Sequence, residues 1–278
     1  MDRLEKALEK AREARRESLA APAAAPAEAA PPPPAAGPDS VPGTGTGAGR
    51  VAIDAATLER NRVVAQRAGH AVSDTFRILR SKVLQAIGKS NIRTFAVTSP
   101  NYGDGKSTVA LNLAISLAAD VKQTVLVVDL DLRNPSIHDY LGLTPTAGLA
   151  DFFMREVPVP QCLVRPGIER LVVLPVNGAI DNSSELLGTP RMAALARELK
   201  ERYADRIVIY DMPPLLVQDD VIAFLPNVDG VLLVVREAKT QRDDLSRCLY
   251  ELQGTNLVGV VLNDSRENQG VGSPSSPR

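Results

Sequence analysis

Apolar positions along this chain follow two rhythms: short unbroken runs, and longer stretches in which they return every three or four residues. The runs fall at 93–98, 124–131, 171–176, 206–211, 230–236 and 257–263. Each is continuous, which predicts strands covered on both faces. Between them, Ser73 reads as the N-cap of a helix with Phe76, Leu79, Val83 and Ile87 along one stripe. Val109, Leu113 and Leu117 mark a second helix, directly after the first run. Thr189-Pro190 reads as a cap followed by proline at the first helical position, with Met192, Leu195, Leu199 and Tyr203 facing inward. The stretch 240–253 carries Leu245, Cys248, Leu249 and Leu252 and stops at Gly254. Strand alternating with helix predicts an α/β fold, a doubly wound and mostly parallel sheet with helices on both faces.

The ends of the chain lack this patterning. Residues 1–19 are dominated by charge around a thin stripe of Leu4, Ala7, Leu8 and Ala11, predicting a charged helix, either solvated or docked on a partner. Residues 20–50 turn to Ala, Pro and Gly, which cannot bury apolar surface, and predict a disordered linker. The globular domain is expected over 51–264, with a disordered tail at 265–278. A formal net charge of −1 gives no pull toward nucleic acid. Cys162 and Cys248 stand alone, without a CxxC pair, and no apolar run approaches the roughly 18 residues of a spanning helix. The expected location is the cytoplasm, peripheral to the inner membrane only through a partner.

The candidate chemistry starts at Ser99-Pro-Asn-Tyr-Gly-Asp-Gly-Lys-Ser-Thr108, between the first strand and its helix. Alone, Gly-Lys-Ser is equally an ordinary glycine turn, and Pro100 stands where the full phosphate-loop expression requires glycine. Its strand–turn–helix context supplies what a triphosphate needs. Gly103 and Gly105 let backbone N–H groups close on an anion, Lys106 reaches the β- and γ-phosphates, and Ser107 offers a hydroxyl to Mg²⁺. Asp104 and Thr108 complete the expected nucleotide-binding stretch. Two other runs end in carboxylates, Asp129 and Asp131 after the second strand and Asp211 after the fourth. One such aspartate is commonly a turn or cap residue. Three at the ligand-binding ends of a parallel sheet need a cation, and Mg·ATP supplies it. The expected catalytic set is Lys106, Asp129, Asp131 and Asp211. Ser107 and Asp131 are the expected metal ligands, Asp211 acts through a water on the metal, and Asp129 takes the proton from the attacking hydroxyl or water.

With these residues in place the sequence resembles the bacterial tyrosine kinases of capsular and exopolysaccharide synthesis, P-loop NTPase-type proteins. The family's loop, Ser-x-x-Pro-Gly-Glu-Gly-Lys-Ser-Thr, corresponds to 99–108 with Tyr102 for Pro and Asp104 for Glu. Its Asp-x-Asp-x-Arg corresponds to Asp129, Asp131 and Arg133, with Pro135 beyond, and its Asp-x-Pro-Pro to Asp211, Pro213 and Pro214. Asn182 with Ser184-Glu-Leu-Leu187, and Asp219, are smaller matches. The charged opening is similar to the exosortase-linked subgroup. The resemblance implies ATP and Mg²⁺ as cofactors, tyrosine phosphorylation, and a membrane-embedded polysaccharide co-polymerase as partner. It also implies a homo-oligomeric ring through a Glu-x-x-Arg-x-x-Arg helix, represented by Asp74, Arg77 and Arg80, though an intrahelical Asp74–Arg77 pair accounts for the same spacing.

One departure bears on function. The family's tail carries a tyrosine cluster, whereas residues 264–278 contain none. The five tyrosines are Tyr102, Tyr140, Tyr203, Tyr210 and Tyr250. All but Tyr102 read as packing residues; Tyr102, in the loop, reads as either a nucleotide shield or an exposed aromatic. A regulatory ATPase without kinase activity is therefore an alternative, as is a partitioning-type ATPase, although Asn101 and Tyr102 replace that class's signature Lys and Gly. Asn263 resembles a residue near the adenine in relatives, with Arg236 a similar candidate; each reads equally as a strand-end residue. His70 and His138 have no metal-ligand spacing and read as structural.

Overall fold

The structure, a computed structural model, describes residues 51–265 except 68, 121, 203 and 204. The expected helix 1–19, the linker 20–50, Tyr203 and all of the tail but Ser265 lie outside the described residues.

Six strands form one sheet: β1 (Thr94–Thr98), β2 (Thr124–Asp129), β3 (Leu171–Leu174), β4 (Arg206–Asp211), β5 (Gly230–Arg236) and β6 (Leu257–Asn263). Their order is β3-β2-β4-β1-β5-β6, and these six strands pair with one another in parallel. The helices are α1 (Ala55–Arg60), α2 (Ala71–Ser90), α3 (Lys106–Ala118), α4 (Ile137–Leu141), α5 (Leu149–Arg155), α6 (Val159–Cys162), α7 (Ser183–Leu187), α8 (Pro190–Glu201), α9 (Asp220–Phe224) and α10 (Arg242–Glu251). This is the sequence-predicted architecture, and it follows from side-chain alternation on two buried faces. On β2, Val125 and Val127 join one core with α2 and α3, while Leu126 and Val128 join a second with α8. On β4, Ile207 and Ile209 take the first core, Val208 and Tyr210 the second. Tyr210 meets the Phe224 ring edge-on at 4.8 Å.

Three local expectations are corrected. The helix at 71–90 begins ahead of Ser73: His70 is its N-cap, its Nδ1 accepting from the Val72 N–H at 3.2 Å. Ser73 is a fully buried clip, its hydroxyl donating to the carbonyls of Val64 (2.7 Å) and Arg67 (2.8 Å). Strand β6, at one edge of the sheet, is not covered on both faces and leaves Leu257, Val260 and Leu262 exposed, unlike the buried edge strand β3. On α10, Leu249 and Tyr250 face solvent, Tyr250 at 69% exposure, while Cys248 alone on that helix is buried. The Thr189 cap forms as expected, accepting from the Met192 N–H at 3.2 Å. Among the described residues no helix is long and apolar enough to cross a membrane.

Position follows from this topology. From β1 the chain crosses to β2 on one side, whereas from β4 it crosses to β5 on the other, so the switch point lies between the adjacent strands β1 and β4. The carboxyl ends there form the crevice in which doubly wound sheets take ligands.

Candidate phosphoryl-transfer site

The loop Ser99–Gly105 leaves β1 and enters α3 through Gly105, whose φ of 94° is a left-handed conformation that side chains rarely adopt. A Cβ on Gly105 would also lie 2.1 Å from Asn263 Nδ2, so glycine is required on both counts. Opposite the loop, register pairs Val97 of β1 and Asp129 of β2 each with Asp211 of β4. Two strand-end carboxylates thus share one level of the sheet, and Asp131 follows two residues later.

Lys106 is the charge among them. Its ammonium donates to Asp131 Oδ2 at 2.9 Å and to the Ser107 hydroxyl at 3.2 Å, with the residue only 9% exposed. Burial alone would favour the neutral amine, but Asp211, Asp131 and Asp129 outweigh it and hold the lysine more firmly protonated than usual. Asp129 is fully buried and pushed up to about 8, by burial first and the Asp211 charge second. Its Oδ2 accepts the N–H groups of Ser136 and Ile137, both at 3.0 Å, and its Oδ1 that of Asp131 at 3.2 Å. Asp211 is raised too, by burial, against the opposing Lys106 charge and the Ser107 hydroxyl. Among the described residues neither Asp211 oxygen has a hydrogen-bond partner within 3.5 Å, although the residue is fully buried.

Such an orphaned carboxylate is costly unless something binds it. Mg²⁺ fits this position: Asp211, Asp131 and the Ser107 hydroxyl are hard oxygen donors. Among the described residues no three acidic, His or Cys side chains form a metal cage by themselves. Mg²⁺ ordinarily takes one or two carboxylates and completes its shell with phosphates and water, so this donor set suits a metal carried by a nucleotide.

Two cavities meet at the loop. One of about 550 Å³ is lined by Tyr102, Gly103, Gly105, Lys106, Ser107, Asp131, Asn134, Ser136 and Tyr140. The other, about 360 Å³, includes Gly103, Gly105, Thr108, Tyr140, Arg236 and Asn263. The expected residues therefore divide between a phosphate side and a far side. Asp104 stands apart, since its carboxylate is turned inward and accepts the Asn101 N–H at 3.0 Å. It braces the loop, leaving its backbone to face a ligand.

Sequence reasoning missed the loop's outer brace. Asn263 Nδ2 donates to the Asp104 carbonyl at 2.9 Å, Arg236 Nη1 to that of Gly103 at 3.0 Å, and Lys239 Nζ to that of Tyr102. Three consecutive carbonyls are thus held outward, which leaves the amides free to turn in. Asn263 and Arg236 were legible as strand-end candidates; Lys239, in the loop after β5, carried no signal. A second network runs from Arg133 Nε to the Ser183 hydroxyl (2.8 Å) and from that hydroxyl to Asp220 Oδ1 (2.9 Å). It ties the segment after Asp131 to α7 and α9, beside the smaller sequence matches at Asn182 and Asp219. The expected ring residues lie elsewhere: Asp74 pairs with Arg77 on α2 at 2.6 Å, and Arg80 donates to the Ser116 carbonyl of its own chain at 2.9 Å.

A six-stranded parallel sheet with a lysine-bearing anion loop at its switch point defines a P-loop NTPase. A family model described as ParA, NUBPL iron-transfer P-loop NTPase, matches residues 91–266. Within that class the chain belongs to the bacterial tyrosine-protein kinase family. The tyrosine-protein kinase YwqD of Bacillus subtilis is 30% identical over 212 residues, 75% of this chain and 88% of YwqD. The succinoglycan biosynthesis transport protein ExoP of Rhizobium meliloti is 30% identical over 214 residues, 75% of this chain and 27% of ExoP. Among solved structures, the kinase domain of the Escherichia coli tyrosine kinase ETK superposes with a TM-score of 0.67 at 25% identity, over 73% of this chain and 79% of that one.

Proposed function

We propose that this chain is a Mg·ATP-dependent protein-tyrosine kinase that regulates exopolysaccharide polymerisation or export together with a membrane-embedded co-polymerase. The observation that carries the reading is the buried pairing of Lys106 with Asp131 beside a fully buried Asp211 carboxylate that has no hydrogen-bond partner within 3.5 Å among the described residues. In this reading the loop amides and Lys106 hold the phosphates, with Gly103, Gly105, Ser107 and Thr108 contributing to the cradle and Asn263 lying toward the nucleoside. Ser107, Asp131 and Asp211 would hold Mg²⁺, which when bound neutralises charge on the transferred phosphoryl group. Asp129, whose pKa lies near ambient pH, takes the proton of the attacking hydroxyl. Names borne by relatives such as YwqD and ExoP support kinase activity and the polysaccharide setting. A ring through Asp74, Arg77 and Arg80 belongs to the same proposal and requires Arg80 to exchange its internal carbonyl for a neighbouring subunit.

The experiment is incubation with γ-labelled ATP and Mg²⁺, alone and with a co-expressed co-polymerase cytoplasmic segment, followed by phosphoamino-acid analysis. Phosphotyrosine is the expected product. ATP consumption with no phosphotyrosine on either protein would replace the kinase with a nucleotide-switched regulatory ATPase, the reading that the tyrosine-free tail favours.

A further inference from the structure

We propose that Tyr102 is a phosphoryl acceptor for its own chain's site, which makes the phosphate loop a self-modifying one. This rests on reading the cavity as a Mg·ATP site.

The acceptor half of the reaction needs a phenol, and the tail offers none. Tyr210 is fully buried, and Tyr250 projects from α10 at 69% exposure. Tyr140 lines the phosphate-side cavity from α4, but Tyr102 is held differently, by residues of the loops after β2 and β4. Tyr102 lines that cavity together with Lys106, Ser107 and Asp131, yet is itself 45% exposed. Its hydroxyl accepts from Gln218 Nε2 and, at 3.5 Å, from Asn134 Nδ2. Asn134 lies on the loop after β2, where its N–H donates to Asp131 Oδ1 at 3.3 Å, and Gln218 follows Asp211 on the loop after β4. The phenol oxygen is therefore held between the loops that follow β2 and β4, in a cavity it shares with Lys106. Both neighbours donate to it, so neither of these bonds uses its own proton. Its backbone is pinned by Lys239 at the carbonyl. A nucleophile held at this position gains the advantage of an intramolecular reactant.

The step balances with a nucleoside triphosphate as co-reactant. Tyr102 Oη forms a bond to the γ-phosphorus as the bond from that phosphorus to the β–γ bridging oxygen breaks. The electron pair leaves with the diphosphate, and the phenolic proton passes to water at the cavity mouth, where Tyr102 is exposed. The phosphotyrosine that remains adds nearly two negative charges beside Asp131 at the cavity mouth. Reloading should weaken accordingly, by ~tenfold or more in Mg·ATP affinity.

The test uses the full chain with Mg·ATP, mixed with an isotopically heavy Lys106→Ala chain, and maps phosphate by mass spectrometry. We expect phosphate on Tyr102 of the unlabelled chain alone, formed at a rate unchanged by ~tenfold dilution, and weaker Mg·ATP binding by the modified fraction. Dilution independence keeps the test decisive should the Lys106→Ala chain fail to fold. ATP consumption, or phosphate on other tyrosines, with Tyr102 unmodified would overturn the proposal and leave the site reading intact. Transfer to Tyr102 of the heavy chain, or a rate that falls with dilution, would overturn the same-chain step. No ATP binding at all would overturn both the proposal and the reading beneath it.

Discussion

Lys106 sits where removing one atom changes the charge balance of the whole site. Without its ammonium, Asp131 and Asp211 face each other uncompensated in a region almost closed to water. Lys106→Ala should therefore cut ATP turnover by at least ~10²-fold, measured by phosphate release, because a cation aimed at the transferred phosphoryl is lost. Asp129→Asn should spare Mg·ATP binding more than turnover; equal loss of both, in calorimetry and a turnover assay, would mean that Asp129 holds the metal and is not the base. The same residue makes a pH prediction. Asp129 holds its proton more tightly in the folded chain, up to about 8, than an unfolded aspartate, which titrates near ~3.9. Its contribution to stability is complete below the unfolded value and lost as pH rises through the folded one. The melting temperature of the nucleotide-free chain should fall as pH rises from ~4 to ~8 on this account, and Asp129→Asn should flatten that slope. The lysine and the three aspartates were legible because each stands at a fixed offset from an apolar run. Tyr102 was legible only as an ambiguity, because the partners that give it a role, Gln218 and Asn134, come from loops 116 and 32 residues away.

Among the elements, α3 does two tasks, presenting Lys106 at its start and anchoring the segment ahead of α2 through Asn112. That buried amide accepts from the N–H groups of Val64 (2.8 Å) and Ala65 (2.9 Å) and donates to the carbonyls of Arg62 (2.9 Å) and Thr108 (2.8 Å). Asn112→Ala would orphan buried backbone groups and should cost about 2–4 kcal/mol by urea unfolding, more than an average substitution. Asp229 does a comparable job at the start of β1. Burial would raise its pKa, but Lys200 and the N–H groups of Arg93 and Thr94 bring it below the ordinary value. Its stabilisation is present above the unfolded aspartate pKa and lost as pH falls through the lower, folded one. Asp229→Asn should therefore reduce stability at pH 7 and narrow the gap to wild type in acid, read from the same unfolding curves. The strands could be read from sequence because two covered faces demand unbroken apolar runs. Their burial could not: β6 has the same composition as its neighbours yet leaves Leu257, Val260 and Leu262 exposed, whereas β3, at the other edge of the sheet, is buried. Ser73 looked like a cap by residue type, yet its partners, Val64 and Arg67, lie in a preceding turn that periodicity does not reveal.

Across the whole domain, function follows from gathering distant stretches at one end of one sheet. The strand order sets β4 between β1 and β2, so residues 99–108, 129–131 and 211 converge although more than a hundred positions separate the first from the last. The ends of β5 and β6 then close on the loop from outside through Arg236 and Asn263. The loop is thus held open by protein contacts, ready for an anion. Titration calorimetry with ATP, in Mg²⁺ and in EDTA, on the wild-type chain and on Lys106→Ala, tests this most directly. The account predicts a saturable heat for wild type that depends on Mg²⁺ and disappears in Lys106→Ala. A flat wild-type trace, or equal binding by the two chains with and without the metal, would contradict it.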